Sequence, residues 1–109
     1  MSSPSGHRLP VADDEVLALA QDMTITRDAF LRSLPAAVNH AEYAVDGDEV
    51  RSLDPAQRWR IVLRPLPNLN IALISLERRR VEIHLIGYDE QRTRAFLERF
   101  ELYFRRAGG

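Results

Sequence analysis

The chain contains no cysteine among its 109 residues. Disulfides, thiolate metal sites, iron–sulfur ligation and cysteine nucleophiles are therefore excluded. Lysine is missing as well. All fifteen basic residues are arginine, which removes Schiff-base chemistry. Arginine-rich coding in a GC-rich, bacterial-like genome accounts for that bias. Glycine is scarce, with five residues, and no phosphate-cradling G-x-x-x-x-G-K-[ST] or G-x-G-x-x-G occurs. The longest apolar run falls well short of a membrane span. The opening "MSSPSGHRLP" offers no apolar core for a signal peptide, so a cytoplasmic protein is expected. A surplus of positive charge is lacking too. Fifteen arginines face sixteen acids, a formal charge of −1. Binding to nucleic acid or to an anionic membrane usually shows a basic excess, so neither is expected.

What is present fits one soluble domain. The composition is 45% hydrophobic and 28% charged, which is ordinary for a globular protein, and the length allows one core. Residues 1–10 read as a disordered tail, 11–107 as a single α+β domain and 108–109 as a Gly-Gly tail. Charge is unevenly spread. Residues 1–55 hold four arginines and ten acids, a net −6, and residues 56–109 hold eleven arginines and six acids, a net +5. In a chain this short, internal compensation explains the split.

Local patterns suggest the elements. "ADDEVLALAQDM" reads as an N-terminal helix, with Asp13 as cap and Val16, Leu17, Ala20 and Met23 near one face. Thr26 fits the N-cap of a second helix, with Ile25 and Phe30 spaced as a hydrophobic staple. Pro35 should end or kink that helix near Leu34, with room for one further turn over residues 36–38. In "EYAVDGDEV", Asp46-Gly47 lies between two β-compatible runs and marks a hairpin. "LDPAQ" makes a further turn. In "RWRIVLRPL", Trp59, Ile61 and Leu63 alternate with Arg58, Arg60, Val62 and Arg64, the pattern of a half-buried strand. Val81, Ile83 and Leu85 alternate in the same way with Glu82, His84 and Ile86. Asp89 caps a long terminal helix whose Phe96, Phe100, Tyr103, Phe104 and Ala107 repeat at helical spacing. The expected fold is a two-layer α+β sandwich. An antiparallel meander of about five strands carries the N-terminal helix or helices and the long C-terminal helix on its Trp59/Ile61/Leu63 face.

Signals for chemistry are weak. His7 falls in the tail, His40 in a loop, and His84 on a strand two residues from Glu82. No serine, histidine and carboxylate constellation is evident. "VDGDE" lacks the spacing of a calcium loop. No catalytic residue, metal or cofactor is assigned, and an enzyme is not expected. Two surfaces stand out instead. Arg58, Arg60, Arg64, Arg78 and Arg80 would form a basic band able to contact an anion or acidic partner. No aromatic accompanies them for base stacking. "LNIALISL", read as one strand, is apolar on both faces. Leu69, Ile71 and Leu73 point one way; Ala72, Ile74 and Leu76 point the other and need a cover. The N-terminal helix, a partner chain or an apolar ligand could supply it. Ala72, Ile74 and Leu76 are the expected interface.

A meander closed by one long C-terminal helix resembles a small helix-grip arrangement. The resemblance is one of topology, and it implies an enclosed apolar ligand. The last two residues, Gly108 and Gly109, resemble the end of ubiquitin-like sulfur carriers, which implies activation of the terminal carboxylate. In those carriers the tail leaves a strand, whereas here it follows a helix and Gly108 fits a helix stop. The reading carried forward is a small non-catalytic protein-interaction or assembly domain, with a homodimer as its simplest form. A small apolar-ligand binding module with a cavity under the C-terminal helix is the first alternative, and a Gly-Gly carrier is the second.

Overall fold

The computed structural model describes residues 14–107. The expected N-terminal tail and the Gly-Gly tail lie outside that range. The elements are β1 (Glu15–Thr24), α1 (Arg27–Ala37), β2 (Tyr43–Asp46), β3 (Glu49–Ser52), β4 (Arg58–Ile71), β5 (Ile74–Ile86) and α2 (Glu90–Ala107). The sheet is antiparallel, with five strands in the order β1-β5-β4-β3-β2. Strands β2 to β5 run as a meander, and β1 joins on the far side of β5. Both helices lie on one face, giving the two-layer α+β arrangement anticipated above.

Residues 15–24 correct the expected first helix. They form β1, paired with β5 from Glu15↔Ile86 to Thr24↔Arg78. Ala, Leu, Glu, Gln and Met favour helix locally, but β5 has a second edge whose backbone groups need partners, and tertiary pairing wins. A register shift between Leu17 and Leu19 leaves Ala18 as a bulge.

The next helix starts as expected. Thr26 is the N-cap, and its Oγ1 accepts from the Ala29 amide at 3.0 Å. Ile25 and Phe30 are both buried, as a staple requires. α1 runs through Pro35 and continues to Ala37, with Val38 as C-cap, so the further turn is present. The last turn is held by burial of Leu34 and Ala37 and by the Arg99 Nε donating to the Ala36 carbonyl at 2.9 Å. A cation at this end also suits the helix dipole. Asn39 and His40, both at positive φ, then turn the chain away. The first hairpin forms one residue later than read, with Asp46 in β2 and Gly47 at φ +63° in the turn.

The core lies between the layers. Trp59, Ile61 and Leu63 of β4, Val81, Ile83 and Leu85 of β5, and Val50 of β3 face the helices and are buried. Phe30 and Leu34 of α1 and Phe100 and Phe104 of α2 meet them. Phe30 stacks on Phe104 at 4.5 Å between ring centroids and lies 6.2 Å from Phe100. These rings draw α2 toward α1, so α2 leaves the helix-side face of β1 partly open. Asp89 caps α2, its Oδ1 accepting from the Arg92 amide at 2.7 Å.

Candidate functional site

"LNIALISL" is two strands and a turn. Residues Ala72 and Leu73 are the turn between β4 and β5, and Ala72 sits at φ +52°. The turn resets the side-chain phase. Leu69 pairs with Leu76 and Ile71 with Ile74, and directly paired residues share a face. These four lie on the same side as Arg78 and Arg80, away from the helices. The expected two apolar faces are therefore one. Ile74 and Leu76 belong to it, and Ala72 does not.

This segment projects beyond the layered body. Strands β1 and β3 stop pairing at Arg78 and Val62 respectively, so from Leu66 to Leu76 the sheet is a two-stranded ribbon, here called the arm. Its outer face carries Leu66, Leu69, Ile71, Ile74 and Leu76. Ile71 is 54% exposed, Ile74 58%, and Leu73 at the tip fully so. The helix-side face is polar, with Asn70, Ser75, Glu77 and Arg79. Asn68 Nδ2 donates to Ser75 Oγ at 3.0 Å. The arm is thus amphipathic and nothing among the described residues covers its apolar side.

The structure places Arg60, Arg64, Arg78 and Arg80 together on the outer sheet face and gives each a carboxylate. Arg60 donates twice to Glu15, at 3.1 and 3.3 Å, and lies 3.8 Å from Glu49. Arg64 donates twice to Glu82, at 2.8 and 3.3 Å. Arg80 bonds Asp22 at 2.8 Å, and Arg78 lies 3.6 Å from the same carboxylate. The hydrogen bond from Arg64 holds the Glu82 carboxyl below its usual range, with His84 adding to the effect. The bond from Arg80 does the same for Asp22. Instead of a basic band, the face is a lattice of alternating charge, and an incoming anion would have to displace these carboxylates. Arg58 sits at the start of β4 opposite Ile86. His84 Nε2 lies 3.3 Å from Glu82 Oε1, within this lattice.

A groove of about 730 Å³ runs between β1 and the exposed flank of α2. Its floor is Leu19, Met23, Leu97, Phe100 and Phe104, and charged residues of α2 form the rim. A cavity under the C-terminal helix is among the sequence expectations, but its β1 wall is not, because residues 15–24 read as a helix.

At the other end of α2, Tyr43, Trp59, Phe96 and Tyr88 form a chain of rings at centroid distances of 6.0 to 6.2 Å. The Trp59 Nε1 and the Tyr88 hydroxyl are buried without a protein partner. Burial pushes the Tyr88 phenol above its ordinary value, against the opposing pull of Arg92, whose guanidinium lies 4.3 Å from the ring centre. Among the described residues, no group of three His, Asp or Glu side chains is placed to hold a metal ion. No helix among them is long and apolar enough to cross a membrane. Compared with known proteins, the chain matches no family model, no curated protein and no solved structure.

Proposed function

We propose that this protein is a non-catalytic interaction domain that pairs with a second copy of itself through the outer face of the arm. The observation that carries the reading is the contiguous apolar stripe Leu66, Leu69, Ile71, Ile74 and Leu76 on a ribbon that no helix among the described residues covers. A two-stranded ribbon is marginal in water by itself, and a bare apolar one invites uncontrolled association. Packing two such faces about a two-fold axis resolves both problems.

Magnitudes permit it. Full burial of a Leu or Ile stabilises by about 1.5–3 kcal/mol. Five such side chains from each copy, only half buried, give roughly 8–15 kcal/mol, comparable with the about 4–15 kcal/mol lost to rigid-body freedom. Charge does not oppose it, because the neighbouring Arg64, Arg78 and Arg80 are already paired with Glu82 and Asp22. The test is Ile74→Glu, followed by size exclusion with light scattering. A folded monomer from the variant beside a dimeric wild type is expected. A variant that retains the wild-type mass would refute the interface. The small-ligand alternative has the groove under α2 in its favour, and it predicts a monomeric wild type.

A further inference from the structure

We propose that the β1 edge and the adjoining groove form a docking site for an extended, basic polypeptide segment, which adds to the sheet as a sixth strand. The site is separate from the arm and stands independently of self-association. Three observations specify the occupant.

The first is the backbone. β1 is an edge strand of ten residues; the opposite edge, β2, has only four. Every second amide and carbonyl of an edge strand points outward and needs a partner. The bulge at Ala18 spoils the first part of the edge for pairing. From Leu19 to Thr24 the register is regular. A compact apolar molecule cannot satisfy such a row of amides and carbonyls, but another strand can.

The second is the coincidence of edge and groove. The regular stretch Leu19–Thr24 supplies the β1 wall of the groove, and α2 from Glu90 to Arg105 supplies the other wall. An added strand would send alternate side chains into the groove beside Leu97 and Phe100, which is how strand addition obtains specificity.

The third is charge. On the α2 wall Glu90, Glu98 and Glu101 stand against the guanidiniums of Arg94 and Arg105, while Asp22 is turned to the outer face and held by Arg80 and Arg78. Glu90 pairs with Arg94 and Glu101 with Arg105, which leaves Glu98 as the carboxylate of this wall without a partner among the described residues. Glu98 is exposed at the rim. The complement is a segment whose groove-facing residues, every second one, are apolar apart from an arginine or lysine placed to meet Glu98.

The experiment uses the full chain, labelled for amide-resolved spectroscopy, and three short synthetic peptides. One carries valine, arginine and valine at successive groove-facing positions, with threonine between them. A second replaces arginine by glutamate. A third is the basic peptide with alternate backbone nitrogens methylated, which removes strand donors and leaves the side chains intact. The basic peptide is expected to bind and to slow exchange of outward-pointing amides between Leu19 and Thr24. The acidic and methylated peptides should each bind roughly tenfold more weakly or worse. Glu98→Arg, on an exposed helix position, should keep the fold and shift the preference toward the acidic peptide. Equal binding of the methylated peptide, binding without protection of β1 amides, or an unchanged preference in Glu98→Arg would each overturn the proposal. Absence of binding by the basic peptide would do so as well.

Discussion

Tyr88 and Ala72 each hold a conformation or environment that their chemistry does not favour. The Tyr88 hydroxyl is buried with no protein partner, and an unsatisfied buried polar group costs about 1–3 kcal/mol. Tyr88→Phe should therefore be neutral or stabilising by about 1 kcal/mol, read from urea denaturation midpoints. Because burial raises the phenol above its ordinary value of 10.0, the folded state holds this proton more tightly than the unfolded chain does. Its contribution is fully present below pH 10.0 and is lost as pH rises beyond it. The wild type should lose stability in that alkaline window and Tyr88→Phe should lose less; equal losses would contradict the burial argument. Ala72 takes a positive φ that favours glycine. Ala72→Gly should stabilise the arm's turn by roughly 0.5–1 kcal/mol, measured by thermal denaturation. A loss instead would mean the turn relaxes away from φ +52° in solution.

At the scale of elements, α2 and the helix-facing side of β4 and β5 were legible in the sequence because their periods are clean. Phe96, Phe100 and Phe104 recur every fourth position, and Trp59, Ile61 and Leu63 every second. Phe100→Ala should cost about 3–5 kcal/mol, since Phe100 touches Phe30 and Phe104 in the core; a near-silent denaturation curve would mean that α2 does not pack on the sheet. β1 was not legible, for a definite reason. Glu15 and Asp22 are an odd number of positions apart, so an unbroken strand would send them to opposite faces. The bulge at Ala18 puts both on the outer face, where they meet Arg60 and Arg80. A bulge has no residue signature here, and Ala, Leu and Glu point to helix. The β4–β5 turn was hidden in the same way. "IALI" contains no Gly, Pro, Asn or Asp to mark it, so two strands read as one. Ile74 and Leu76 were picked out as interface residues for their hydrophobicity, but the common face they share with Leu69 and Ile71 appears only once the turn is in place.

Across the whole molecule, one face is consumed by the core and the other is divided in two. Over the body the outer face is a balanced charge lattice that prefers water. Over the arm it is apolar and nothing among the described residues covers it. The boundary falls near Arg78 and Arg80, where β1 stops and the third strand of support ends. A chain that is charged and self-neutralised on one part of a sheet face and greasy on the next is organised for a contact confined to the second part. Sedimentation equilibrium of the wild-type chain over a dilution series tests that contact most directly. Self-association through the arm predicts a reversible rise with concentration to twice the chain mass of 12.5 kDa, and no further. A mass that stays at 12.5 kDa up to roughly millimolar concentration, where even a contact of about −4 kcal/mol would be half formed, would contradict it.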